Sequence, residues 1–438
     1  MKIKTKALSY EEVIRLKKDG HRNPGKTNPF LKRLIKLFSD HELKKCNFRS
    51  ESVGMERLGF NEPALVLMNH SSFVDLEIAA KLLYPRPFHI VCTKDGFVGK
   101  AGLMRAIGCI PTQKFVTDLN LVKDMKYALK TLKSSVLMYP EASYSFDGTA
   151  TPLPDSLSKC IKLLDVPVLM IKTTGAFLRD PLYNMLKLRK VDVSASIEYL
   201  MSPEDIKEKS LDEINEILKK CFTFDHFKWQ KENKIVINEP FRADGLNRVL
   251  YKCPHCLSES KMEGLGTKIK CCFCGVAYEL DEYGFLKCLT GEGKFDHIPD
   301  WFKWERKCVK EELEAGTYRL ETKVDICMMV NTDFIYRVGE GLLTHTKEGF
   351  HLTGCDGKLD YFQKPSASYS LYSDYYWYEI ADMICIGDMK TSYYCFPKGT
   401  GDVVAKTRLA AEELYKLDRE KTMRKISKQR TLVALFND

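Results

Sequence analysis

The sequence predicts an α/β domain, then a small cysteine-stapled insert, then a β-rich domain closed by a helix. Three observations carry that reading. Short apolar runs alternate with helix-like segments from about 51 to 245, six cysteines crowd residues 251–290, and alternating apolar and β-branched residues fill the chain after 296. With 438 residues, 44% of them hydrophobic and 29% charged, there is core material for more than one domain. A mainly disordered chain and a small disulfide scaffold are both excluded.

Residues 1–50 form a basic segment with 14 Lys/Arg against 5 Asp/Glu, so the whole formal charge of +9 resides there. Within it, Phe30, Leu31, Leu34, Ile35, Leu37 and Phe38 recur at a helical period, with Lys32, Arg33 and Lys36 opposite. Such a helix either lies in an anionic membrane interface or docks on the following domain. From 51 to 245, the runs 64–68, 88–92, 135–139 and 166–171 read as buried strands. Segments 76–83, 100–107, 119–133 and 156–164 read as the helices between them, which gives a mixed or parallel sheet flanked by helices.

The insert, 250–290, holds Cys253-x2-Cys256, fourteen residues, then Cys271-x2-Cys274. That spacing is two knuckles delivering four thiolates to one tetrahedral ion, with zinc the expected occupant over iron and a structural role. Cys272 and His255 are the alternative ligands. Beyond it, 296–420 reads as the β-rich domain, possible PH/GRAM-like or another small barrel. Its expected strands are 317–330, 334–341, 341–346, 350–354, 359–363, 368–372, 376–386 and 392–397. A helix from about Asp402 puts Val403, Thr407, Ala410, Leu414 and Leu417 on one face, and 421–438 is a basic tail. Sixteen cysteines without a secretory h-region point to a reducing cytoplasm, and no apolar run approaches the ~18 residues of a membrane span.

Chemistry concentrates in four blocks. Asn69-His70-Ser71-Ser72-Phe73-Val74-Asp75 follows the first strand directly. A histidine at a strand end with a carboxylate five residues on makes a general-base pair, or else Asp75 or Ser72 caps the next helix. Gly108–Lys114, Tyr139–Ser145 and Val166-Pro167-Val168 come after it in that order. Together the blocks resemble the lysophospholipid/glycerolphosphate acyltransferase family, over roughly residues 50–240, whose patterns are N-H-x-S-x-x-D, G-x-I-x-x-x-R, F-P-E-G-T-R-S and V-P-V. The resemblance implies an α/β fold and transfer of a fatty acyl group from acyl-CoA or acyl-carrier protein to a hydroxyl of a lysolipid such as 1-acyl-glycerol-3-phosphate, in phospholipid synthesis. It makes His70 the general base and Asp75 its orienter, with Ser72, Lys114, Glu141, Ser143 and Tyr144 at the substrate.

This chain departs from the pattern at three charged or flexible positions. Lys114 stands where the second block has arginine, Ala142 replaces glycine, and Tyr144 replaces the third block's arginine. Lysine keeps the charge but loses the planar fork that grips phosphate. Either Lys94, Lys100 or Lys114 then supplies the charge, or the acceptor is not a glycerol phosphate. A zinc-ribbon adaptor without catalysis is the other class, but the insert has no basic excess, so no nucleic acid partner is expected. The implied location is the cytoplasmic membrane face, bound peripherally to lipid.

Overall fold

The computed structural model describes residues 2–116, 118–399 and 401–435, with side chains through residue 424. A seven-stranded sheet organises the first half, in the order 49–53, 194–201, 168–174, 65–68, 135–138, 88–93, 109–112. Neighbours are parallel except where Ser194–Met201 runs against Val168–Thr174. The central strand Leu65–Met68 is buried at every position, which is why it reads as a continuous apolar run. Helices Asp75–Leu83 and Leu157–Leu164 cover the sheet with apolar faces. The expected helix at 119–133 is shorter: Leu119–Lys126 passes into a π turn over Tyr127–Thr131. Three strands escaped the sequence reading. Arg49–Val53 is an exposed edge strand, Cys109–Thr112 contains Pro111, and Ser194–Met201 has small polar residues among its apolar ones.

Parallel strands direct their C-terminal loops to one end of a sheet, where α/β crevices form. Leu65–Met68 is flanked by Ser135–Met138 and Val168–Thr174, both parallel to it. Consequently the loops beginning at Asn69, Tyr139 and Gly175 converge.

The cysteine insert is a four-stranded antiparallel meander, Met262–Leu265, Lys268–Cys271, Ala277–Leu280 and Leu286–Cys288. Helix Ile298–Glu314 follows and buries Trp301, whose indole N–H donates to Lys252 O at 3.0 Å. The C-terminal sheet runs in the order 359–363, 349–354, 335–346, 320–329, 392–397, 381–387, 372–377. Three expectations change there. Residues 334–346 form one long strand, Ile335–Thr346, and 376–386 is broken by a turn between Tyr372–Trp377 and Ala381–Gly387. Tyr378 and Glu379 occupy that turn at positive φ, a conformation that neither residue type signals. Residues 368–371 are loop. Helix Val403–Leu435 carries the basic tail as far as Leu435, and 436–438 lie outside the described residues.

The first sheet has two apolar clusters of its own, but the units expected at 51–245, 250–290 and 296–420 also share a core. Phe146, Phe177 and Phe227 share one apolar cluster with Tyr278 of the insert and with Leu343, Tyr375 and Leu409. The basic N-terminal segment is itself divided. Thr5–Ala7 pairs in parallel with Ile335–Arg337 of the C-terminal sheet, and Val13 is buried in the shared core. Residues 20–28 then lie against the first sheet, where His89 Nε2 is 2.9 Å from Gly25 O. Helix Pro29–Lys44 follows, capped by Asn28. Among the described residues, no helix is long and apolar enough to cross a membrane.

Candidate functional site

His70 stands at the mouth of the central strand with its side chain mostly buried. Its Nδ1 lies 3.0 Å from Asp75 Oδ2, and the same oxygen accepts the N–H groups of Ser71 (2.7 Å) and Ser72 (3.0 Å). Asp75 is the first residue of helix Asp75–Leu83 and orients the imidazole. The N-cap is Val74 and no side chain caps this helix end, so the geometry is that of a histidine–carboxylate pair and not of the capping alternative. Nε2 has no hydrogen-bond partner among the described residues. With Nδ1 protonated toward the carboxylate, Nε2 presents a lone pair. Burial, and secondarily the Lys114 charge, keep His70 well below the usual histidine range, so the ring is neutral at pH 7. Burial pushes Asp75 up to about 7 against the pull of its two backbone donors.

Both faces of the imidazole are covered. Tyr139 stacks on one at a centroid distance of 4.1 Å, and Tyr144 stacks at 3.9 Å. Phe73, half exposed, packs on the Tyr144 ring with centroids 5.4 Å apart. The backbone is fixed as well. The His70 N–H donates to Glu141 Oε2 (3.0 Å), and Thr151 donates to Glu141 Oε1 through its N–H (2.9 Å) and hydroxyl (3.1 Å). Burial raises Glu141 to about 7. Asn69 ties the histidine loop to the neighbouring strand, accepting from Thr173 N–H at 2.8 Å.

The residues expected at the substrate are in two groups. Glu141, Ser143 and Ser72 gather around His70 but already serve protein partners. Ser72 Oγ donates to Asp180 and accepts from Val74 N–H (3.2 Å), and Ser143 Oγ accepts from Arg408 at 2.6 Å. They build the site's walls rather than offer free groups. Tyr144 is in the site, but its ring covers the imidazole in the position expected to supply a cation. Lys114 turns toward the C-terminal sheet, with Nζ 4.2 Å from the Tyr372 ring centre. Burial lowers its pKa, while Asp374 and Asp95 oppose that shift. Lys94 lines the cleft between the two sheets, and Lys100 caps helix Ala101–Ala106.

Sequence reasoning assigned no role to Tyr139, Asp180 or Arg408. Tyr139 lay inside a quoted block, where only its aromatic ring hinted at stacking. Asp180 and Arg408 lie far along the chain from His70. Arg408 had only its i,i+4 spacing from Glu412 to mark it, in a helix where charged residues recur throughout.

The four cysteines form a second site. Cys253 and Cys274 sulfurs are 3.7 Å apart, as are those of Cys256 and Cys271, and all four lie within 4.8 Å of one another. Thiolates about 2.3 Å from a central ion define a tetrahedron with edges of about 3.8 Å, so the set fits one metal ion. Cys272 is exposed and outside the cluster, and His255 faces the Tyr278 hydroxyl at 2.8 Å. Neither alternative belongs to the four-sulfur cluster.

Residues 49–172 match the family model described as Acyltransferase. The crystal structure of the 1-acyl-sn-glycerophosphate (LPA) acyltransferase PlsC from Thermotoga maritima is similar at 17% identity, covering 47% of this chain and 80% of that one, with a TM-score of 0.35. A search of curated proteins gave no match.

Proposed function

We propose, from the premise that residues 49–172 are an acyltransferase-family domain, that this protein acylates a hydroxyl of a membrane lysolipid from a thioester donor. The observation that carries the reading is the His70–Asp75 pair, with Nε2 left without a hydrogen-bond partner among the described residues. In the step, Nε2 takes the proton of the acceptor hydroxyl while its oxygen bonds to the thioester carbonyl carbon. The C–S bond then breaks, and the imidazolium returns the proton to the departing thiolate. Asp75 stabilises the imidazolium between these events, and no acyl-enzyme is needed. The donor is acyl-CoA or acyl-carrier protein.

An acceptor without a phosphate is a second reading, favoured by specific contacts. Tyr144 occupies the position where the family has a phosphate-binding arginine, and Lys114 is engaged by Tyr372 and faces Asp374. One experiment separates the two. Purified protein and its His70→Ala variant are incubated with labelled acyl-CoA or acyl-carrier protein and paired lysolipids, with and without phosphate. A mass-identified acyl ester formed only by the wild type supports the reaction, and the preferred acceptor decides the class. Absence of product across the panel would sink it.

Helix Pro29–Lys44 supports approach from a lipid surface. Phe30 and Phe38 are 71% and 64% exposed, and Leu34 and Leu37 lie with them beside Lys and Arg side chains. The helix packs along Asp75–Leu83, the helix that His70's partner begins, with Lys81 Nζ 2.6 Å from Asp40. We assign zinc to the four cysteines. A closed four-thiolate site has no open coordination position, and its role is to hold the meander folded.

A further inference from the structure

We infer that Arg408, in the C-terminal helix, is a positioning residue for His70, acting through the loop Ser143–Tyr144. This rests on His70 as the base, though its first readout does not. Arg408 is only 3% exposed and lies 264 residues from Tyr144 in sequence. Its Nη2 donates to Ser143 Oγ at 2.6 Å and its Nη1 to Tyr144 O at 3.2 Å. The guanidinium plane sits 4.4 Å from the centre of the Phe146 ring. Three residues of the loop, Ser143, Tyr144 and Phe146, are thereby gripped by one planar fork, a geometry that lysine cannot copy.

The grip has a fixed base. Arg408 Nε donates to Glu412 Oε1 (3.3 Å), and Glu412 is held in turn by Arg306 (2.7 Å) and the Ser370 hydroxyl (2.6 Å). Among the described residues, the loop so anchored provides the contacts that orient His70 apart from Asp75. Tyr139 and Tyr144 cover its faces, Glu141 accepts its N–H, and the Ser145 N–H donates to His70 O at 3.4 Å. A base held in this way keeps Nε2 aimed at one point, and small misplacements of such a group are costly to rate. The acyltransferase-family segment ends at 172, yet its geometry is completed from residue 408.

Removing Arg408 alone leaves Glu412 buried with one partner fewer, which threatens folding. The test therefore uses Arg408→Ala/Glu412→Gln beside Arg408→Ala in the full-length chain. Histidine ring carbons are labelled, and the His70 resonance is assigned by its loss in His70→Ala. In the wild type the two flanking rings shift that resonance upfield. We expect the folded double variant to move it toward the ordinary histidine position and to lower kcat about 10- to 100-fold, with KM nearly unchanged. A cavity of about 290 Å³ borders Arg408, lined also by Phe146, Thr151 and Arg306, so added guanidinium has a place to enter. Millimolar guanidinium should restore both resonance and rate to Arg408→Ala, and equal urea should restore neither. An unmoved His70 resonance in a folded variant overturns the inference whatever the rate does, and so does an unchanged kcat. If His70→Ala itself stays active, the base reading fails and the resonance alone decides the positioning.

Discussion

The four-cysteine cluster and the His70 pocket draw on the chain in opposite ways. The cluster takes all its ligands from 253–274, on two short knuckles that need only close on each other. The pocket takes residues from 69–75, 139–151, 173–180 and Arg408, and it exists only once three parallel strands and a distant helix are assembled. The difference teaches where each site is vulnerable. A local site fails through its own ligands, whereas a distributed one fails wherever its scaffold shifts.

The largest expected effect breaks the pocket at its centre. His70→Ala should lower the acyl-transfer rate about 10²- to 10⁴-fold, read as initial rates of thiol release, with the melting temperature little changed. Next, Cys253→Ser should release the metal, checked by metal analysis of the purified protein. Because Cys253 and Cys271 lie in the core shared with Phe146 and Leu409, melting of the whole chain should shift, and not the meander alone. A variant that lost metal but melted as the wild type would break the comparison.

Titration sharpens it further. Asp75 holds Nδ1–H only while ionised, so as pH falls through about 7 its protonation removes the orienter and activity should decline. Asp75→Asn should be slower at every pH and should push the acid limb lower, toward the depressed His70 value. A pH–rate profile of both proteins checks the sign. Replacing Phe30, Leu37 and Phe38 with serine should weaken sedimentation with anionic vesicles by about tenfold or more, since each buried apolar side chain contributes roughly 1.5–3 kcal/mol. Turnover of a soluble acceptor should be spared. The smallest effect concerns Ala142, which sits at φ 54° in the left-handed region. Ala142→Gly relieves that strain at some entropic cost, and stability should change by no more than about 1 kcal/mol.

These two sites also mark what was legible in the residues. C-x2-C pairs state their geometry outright, because two residues of spacing fix a knuckle. The strands at 65–68, 135–138 and 168–174 were visible as apolar runs, and their parallel order follows from the helices between them. His70 and Asp75 were readable as a pair because only four residues separate them. Nothing local, by contrast, tells that Lys114 faces Tyr372 or that Arg408 reaches Ser143. Those contacts depend on how the two sheets meet, and the charge pattern of either segment is compatible with solvent. The exposed face of helix Pro29–Lys44 falls between. Its period was plain, but whether Phe30 and Phe38 were covered required the neighbouring helix.

The pairing of Thr5–Ala7 with Ile335–Arg337 has a consequence for synthesis. At translation speeds of roughly 5–20 residues per second, the strand at 5–7 waits about 15–60 s for its partner to leave the ribosome. During that interval its unpaired edge is available to other chains, and its basic neighbours and the lack of a long apolar run limit the hazard. Expression hosts and temperatures that slow elongation lengthen the wait. A bulky fusion placed directly before this strand would obstruct the edge it has to reach, so tags belong elsewhere.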